Sequence, residues 1–206
     1  MSLNPKQNWG TPSRRGWLSV IVSLLALGVF GAIFRSARGV GLAVKAAAGA
    51  GKDVEIETFS KDGKSLGVSR LPKLVKSDAD WRALLEGKSA ERAAFDVTRQ
   101  EGTERAGTGK YANNHAPGLY TCICCETALF DAASKFESGT GWPSYRVPIS
   151  KHNVTETVDN SLFMRRTAVS CARCAAHLGH VFDDGPEPTG LRYCMNSAAL
   201  NFIARA

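Results

Sequence analysis

Apolar side chains follow three different rhythms along this chain of 206 residues. From Gly16 to Phe34 they run on with no charge among them, a stretch just long enough to span a bilayer. From Lys76 to Arg99 they recur at helical spacing. In "KSDADWRALL", Ser77 or Asp78 can cap a helix, Asp80 favours its first turn, and Trp81, Leu84 and Leu85 fall at i, i+3 and i+4 on one core-facing stripe. A second helix is predicted over Ser89–Arg99, with Ala93, Ala94, Phe95 and Val97 as core positions. From Tyr120 onward the apolar residues come in short or alternating runs broken by Gly, Pro, Asp and Ser: "GLYTCI", "SYRVPI", "NVTETV", "LFMRRTAV", "LRYCMN" and "ALNFIA". That texture predicts antiparallel strands, so the folded part is mainly β with short helices at its N-terminal end. Residues 53–70 are small, polar and Gly-rich, and read as a linker with one short alternating stretch at Val54 and Ile56. The organisation expected is therefore 1–52 as a leader or anchor, 53–70 as linker and 71–206 as the folded domain.

Charge sharpens that division. The net charge is +7, yet residues 1–52 carry seven basic side chains and no acid, which leaves 19 basic against 19 acidic side chains from Asp53 onward. A body that is neutral by formal count argues against nucleic-acid binding. The basic residues of the N-terminal segment read instead as an address. Ser13-Arg14-Arg15-Gly16-Trp17-Leu18 is similar to the twin-arginine export signal of bacteria. A plain membrane anchor over residues 16–34, with Arg14 and Arg15 left on the cytoplasmic side, fits the same residues. Ala48-Gly49-Ala50 offers a cleavage site of the A-x-A kind. The expectation is export to the bacterial periplasm, with the segment either removed or kept as an anchor, and no other contact with the membrane.

Six cysteines bring in chemistry. Cys122-x2-Cys125 and Cys171-x2-Cys174 are matching pairs, and two intervening residues let a tight turn aim both sulfurs at one point. Two such turns make a closed, all-cysteine site for one structural Zn(2+). Two disulfides are the alternative reading. Cys124 is a third candidate inside the first pair. Residues 126–170 make a longer separation than a usual zinc ribbon, so the ion is expected to tie together two halves of a larger sheet. Cys194 stands apart. If "LRYCMN" is a strand, its period of two puts Arg192, Cys194 and Asn196 on one face. A thiol beside a cation and an amide is a candidate nucleophile, since positive charge favours the thiolate; a small buried core cysteine is the bland alternative. His177 and His180, just past the second knuckle, are placed for proton transfer. Trp142 sits in a Gly/Pro turn, "SGTGWPSY", where an aromatic ring cannot easily reach the core and can line a pocket.

Five segments, "KSDADWRALL", "GKYANNHAPGLYTCICC", "LFDAASKFESGTGWPSY", "SCARCAAHLGHVFDDGP" and "PTGLRYCMNSAALNF", together resemble methionine (R)-sulfoxide reductase of the B type, from about Leu71 to Phe202. The resemblance implies two antiparallel β-sheets around a structural zinc, with helices at the N-terminal end. It implies Cys194 as the nucleophile on sulfur, with His177 and His180 orienting the sulfoxide oxygen and supplying its proton. Trp142 would pack on the substrate methyl group with Phe182 beside it, and Arg192, Asn196 and Asp184 would complete the polar shell. The implied partners are oxidised proteins carrying methionine R-sulfoxide and a thioredoxin-like or small-thiol reductant. One departure concerns regeneration. Thr140 stands where many members carry a resolving cysteine, so either Cys124 takes that role or an external thiol reduces Cys194 directly. A zinc-ribbon binding module and a thiol–disulfide exchange enzyme are the competing classes. The first has no use for Cys194 or His180, and the second needs a free C-x-x-C that the metal would occupy.

Overall fold

The computed structural model describes residues 50–88, 90–161 and 164–205, so the leader or anchor expected over residues 1–52 lies almost wholly outside the described residues. Among the described residues no helix is long and apolar enough to cross a membrane.

The first helix, α1 (Asp78–Gly87), forms where the spacing predicts it. Ser77 caps it, its Oγ accepting from the Asp80 N–H at 3.2 Å and donating to Asp80 Oδ2 at 2.7 Å, and Trp81 and Leu85 are buried beneath it. Helix α2 (Ala94–Gln100) is shorter than the expected Ser89–Arg99, because the Ala94 N–H bonds back to Glu91 O at 2.8 Å and Ala93 has no side chain to cap with. It ends at Glu101 in the left-handed conformation, φ 56°, with the Gly102 N–H on Asp96 O at 3.0 Å. That stop turns the chain into the loop that later forms one wall of the cleft. Arg99 joins this layer to the sheets, its guanidinium stacked 4.8 Å from the Trp81 ring and donating to Cys174 O at 3.0 Å.

Eleven strands are described. The first two, β1 (Ala50–Phe59) and β2 (Ser65–Leu74), form a hairpin, so the region expected as linker is ordered β-structure. Its sequence hides this because β2 is mostly exposed and Ile56 is the one deeply buried apolar side chain of the pair. Polar bonds attach the hairpin instead. Asn153 is fully buried; its Oδ1 accepts from the Glu57 N–H at 2.9 Å, and its Nδ2 donates to Glu57 O and Ala128 O at 2.8 Å each.

The body of the fold is two antiparallel sheets. One is three-stranded in the order β11-β3-β4, from β3 (Gly118–Cys122), β4 (Ala128–Asp131) and β11 (Leu200–Ala204). The other is six-stranded in the order β5-β6-β10-β9-β8-β7. Its strands are β5 (Lys135–Phe136), β6 (Ser144–Tyr145), β7 (Val154–Asp159), β8 (Arg166–Cys171), β9 (His177–Phe182) and β10 (Arg192–Met195). Phe130 stacks on Tyr145 with ring centroids 4.3 Å apart, and Tyr120 meets Tyr145 edge-on at 5.2 Å, so aromatic packing joins the two sheets.

Candidate active site

Strand β10 holds the centre. Cys194 lies opposite His180 on β9 and opposite Ser144 on β6, so both neighbouring strands fix its position in register. Gly179 allows the close approach: a Cβ there would sit 2.1 Å from Cys194 O. Cys194 opens into a cleft of about 130 Å³ lined by Trp142, Phe182, His180, Arg166, Thr103 and Asn196. It is thus partly buried at the edge of a pocket rather than sealed in the core.

The thiol's surroundings differ from the simple expectation. Burial pushes the Cys194 thiol up, and this outweighs the lowering effects of Arg192 and of hydrogen bonds to Thr140 and Ser144. Arg192 is less effective than its charge suggests because Asp184 engages it in a fork, Nε to Oδ1 and Nη2 to Oδ2, both at 2.8 Å. The same guanidinium stacks 4.4 Å from the Phe182 ring and so sets one side of the cleft. Around the sulfur lies a hydroxyl cluster, with Ser138 Oγ 2.8 Å from both Thr140 Oγ1 and Ser144 Oγ.

The two histidines divide. His180 faces the cleft, and its Nε2 lies 2.8 Å from Asp159 Oδ2. Asp159 also takes Arg166 Nη2 at 2.7 Å and the Ser161 N–H at 2.8 Å. The Ser161 bonds and His180 hold its carboxyl well below the usual carboxylate range. His177 sits behind, buried, with its ring edge-on to His180 at 5.3 Å and its Nε2 without a partner. Burial lowers its pKa to about 4, so at neutral pH this imidazole is uncharged.

Asn196 is committed to backbone: Nδ2 donates to Leu178 O at 3.0 Å and Oδ1 accepts from the Glu104 N–H at 2.9 Å. Trp142 donates its indole N–H to Glu104 O at 3.1 Å. Cys194 and the seven residues singled out with it in the sequence therefore gather at one end of the six-stranded sheet, with His177, Asp184 and Arg192 behind or beside the cleft rather than in its lining. Asp159, Arg166, Ser144 and Glu104 join them unannounced. Asp159 and Arg166 are partners in the β7–β8 register, a pairing that only the hairpin reveals. No local sequence signal turns Glu104 inward from the polar loop "EGTERAGTG".

The four paired cysteines also converge. The sulfurs of Cys122, Cys125, Cys171 and Cys174 all lie within 4.8 Å of one another, with Cys122–Cys174 at 3.6 Å and Cys125–Cys171 at 3.5 Å. Tetrahedral thiolate coordination at about 2.3 Å spaces sulfurs about 3.8 Å apart. The cluster is therefore consistent with a metal site, and all six cysteines are free of disulfides. Each pair occupies the turn of a hairpin, β3–β4 and β8–β9. The turns match bond for bond: Glu126 N to Cys122 O and Ala175 N to Cys171 O are both 2.8 Å. Cys124 is buried among the core residues of this cluster and is not part of the cleft lining.

A partly buried cysteine on a central strand, a cross-strand histidine backed by a carboxylate, and a remote four-thiol cluster consistent with a metal site define a cysteine-based enzyme. Residues 90–204 match the SelR domain family. The chain is 52% identical over 132 residues to the peptide methionine sulfoxide reductase MsrB of Herminiimonas arsenicoxydans, covering 64% of this chain and 93% of that one. It is 54% identical over 127 residues to that of Variovorax paradoxus (strain S110), covering 62% and 93%. It is 53% identical over 128 residues to the chloroplastic peptide methionine sulfoxide reductase B1 of Arabidopsis thaliana, covering 62% and 61%. The chain belongs to the peptide methionine sulfoxide reductase MsrB family.

Proposed function

We propose that this protein reduces the R epimer of methionine sulfoxide in oxidised proteins, with Cys194 as the nucleophile. The observation that carries the reading is the pairing of Cys194 with His180 across β10 and β9, inside a cleft walled by Trp142 and Phe182. The sulfoxide methyl group packs on the two aromatic rings while the oxygen turns to His180. The Cys194 sulfur attacks the sulfoxide sulfur. An S–S bond forms as the substrate S–O bond breaks and the oxygen takes the proton that the thiol gave up; that hydroxide-level oxygen then adds to the Cys194 sulfur as the S–S bond breaks, so methionine leaves as the thioether and Cys194 becomes a sulfenic acid. Cysteine sulfur is oxidised and methionine sulfur reduced, with no net gain or loss of protons. Because burial keeps Cys194 protonated at rest, the proton leaves as the attack develops, and His180, held by Asp159, is the group placed to pass it to the oxygen. His177 contributes as a neutral ring that orients His180. Arg192, fixed by Asp184, and Asn196 shape the polar side.

Regeneration falls to an external thiol, of a thioredoxin-like protein or a small molecule. Thr140 lies in hydrogen-bond reach of the Cys194 sulfur and has no thiol to offer, while Cys124 is buried with the metal knuckles. One thiol displaces water from the sulfenic acid to form a mixed disulfide, and a second releases Cys194. The four-cysteine cluster holds one Zn(2+), which is structural because all four positions are taken by sulfur and it lies outside the cleft. For residues 1–52 the paired Arg14 and Arg15 ahead of the apolar run support export to the periplasm. Replacing both with lysine is expected to retain the protein in the cytosol, and unchanged export would point to a simple anchor or another secretion route.

The decisive test is steady-state turnover of separated R and S epimers with a dithiol. Only the R epimer should be consumed, and Cys194→Ser should abolish the reaction while metal content and fold persist. Preference for the S epimer, or a Cys194→Ser protein that still turns over, would overturn the reading.

A further inference from the structure

The loop after α2 contains a buried acid that the reaction as described does not use. Glu104 lies in "EGTER", a stretch of five residues with three charges and no apolar side chain, yet it is 7% exposed. A carboxylate withdrawn from water is costly unless hydrogen bonds replace its hydration. Here two backbone hydrogen bonds offset part of that cost, although burial still raises the carboxyl above its ordinary range: Oε1 accepts from the Ser197 N–H at 2.7 Å and Oε2 from the Ala198 N–H at 2.8 Å. Those two N–H groups open the short turn that follows Cys194, Met195 and Asn196.

The same residue uses its backbone toward the cleft. Its N–H is taken by Asn196 Oδ1 at 2.9 Å, and its carbonyl takes the Trp142 indole at 3.1 Å. Asn196 is itself pinned to β9 through Leu178 O. A few residues on, the Gly107 N–H bonds to Gly141 O at 2.8 Å, fastening this loop to the turn that carries Trp142. Gly109 then passes so close that a Cβ would fall 2.4 Å from Glu104 Oε1 and 2.3 Å from Ser197 Oγ. One residue thereby links three pieces of chain far apart in sequence: the turn after Cys194, the Trp142 turn and the loop bearing Thr103.

We propose that Glu104 is a positioning residue of the reductase, holding the Trp142 ring at a fixed distance from the strand that carries Cys194 so that the methyl-binding wall exists before substrate arrives. This rests on the reading of the cleft as the sulfoxide site. Its consequence is separable from the chemistry of Cys194. Loosening the wall penalises substrate capture, because a methyl-binding surface that is no longer preorganised must be ordered at the expense of binding free energy, while the thiol keeps its neighbours on β6 and β9.

The test compares Glu104→Gln with the unaltered full-length, metal-loaded protein on R-sulfoxide. The Gln variant keeps the shape and one acceptor oxygen but turns an amide N–H toward a backbone N–H. Expected is a fall in kcat/KM on the order of tenfold to a hundredfold, carried mainly by KM. The Trp142 indole N–H resonance, assigned with Trp142→Phe, should shift. The rate of Cys194 alkylation by iodoacetamide should stay within about twofold, which a general loosening of the fold would not allow. In a Trp142→Phe background, Glu104→Gln should cost far less than in the unaltered protein, because the two changes remove one function. Should Glu104→Gln not fold, the same measurements pass to Glu104→Asp, which keeps the charge and withdraws it by one methylene. A folded variant with unchanged kcat/KM, or fully additive effects with Trp142→Phe, overturns the proposal. If the unaltered protein does not consume R-sulfoxide, it is the functional reading that fails, and the indole resonance still reports whether Glu104 fixes Trp142.

Discussion

At the scale of single residues, Asp159 is the clearest addition to the site. Its carboxylate meets His180 Nε2 at 2.8 Å and Arg166 at 2.7 Å, which fixes the ring's orientation toward the cleft. Asp159→Asn should lower kcat/KM for R-sulfoxide on the order of tenfold to a thousandfold, with the fold intact by circular dichroism. His177 makes a different prediction. Its folded pKa of about 4 lies below the ordinary 6.5, so between those values the unfolded chain binds the proton more readily. The stability its neutral form contributes is complete above pH 6.5 and is lost as pH falls toward 4, with a slope of up to about 1.4 kcal/mol per pH unit. Denaturant titrations across that range should show this slope, and a His177→Asn variant should lack it. Cys194, the two histidines and Trp142 were legible in the sequence because each is a chemically distinctive side chain beside a knuckle, a strand period or a glycine turn. Asp159, Arg166 and Glu104 were not. A charged residue at a strand end or in a polar loop reads as solvated, and only tertiary pairing turns it inward.

At the scale of elements, the two knuckles are the most regular feature. In each, the residue after the second cysteine is forced into the left-handed region, Glu126 at φ 64° and Ala175 at φ 55°. A Cβ there costs about 1–2 kcal/mol against the same conformation in glycine, part of which glycine returns as entropy on unfolding. Ala175→Gly should therefore raise stability by up to about 1 kcal/mol, visible as a higher Tm at unchanged metal content. The strand runs read from alternation reappear as β3, β7, β8, β10 and β11, although "SYRVPI" yields only the two residues of β6 before Pro148. Strand β9 was missed because Gly179 interrupts it and a bulge opposite breaks the period between Val169 and Ser170. The hairpin β1–β2 escaped because polar bonds to Asn153, rather than an apolar stripe, hold it in place.

At the scale of the whole molecule, the four-cysteine cluster joins one sheet to the other. Cys122 and Cys125 belong to the β3–β4 turn of the three-stranded sheet, and Cys171 and Cys174 to the β8–β9 turn of the six-stranded one. The sequence separation suggested two halves of a single sheet; the strand order makes them separate sheets with the thiols between. Removing the metal with a chelator should release both sheets in one cooperative transition, with loss of near-ultraviolet dichroism and of activity together, since the ion's binding free energy is folding free energy. Any single Cys→Ser change in the cluster should do the same.

The small size of the cleft, about 130 Å³, has a further consequence for which proteins are served. It holds the tip of one side chain, so the sulfoxide itself must enter. Access to it, and with that part of the choice among clients, passes to the clients themselves. A damaged methionine sealed in a native core waits for local opening, whereas one on a surface or in an unfolded segment is reached at once. The order of repair across a mixture of oxidised proteins should follow their own opening free energies, and a single client should be restored faster in mild denaturant, up to the concentration at which the enzyme itself gives way.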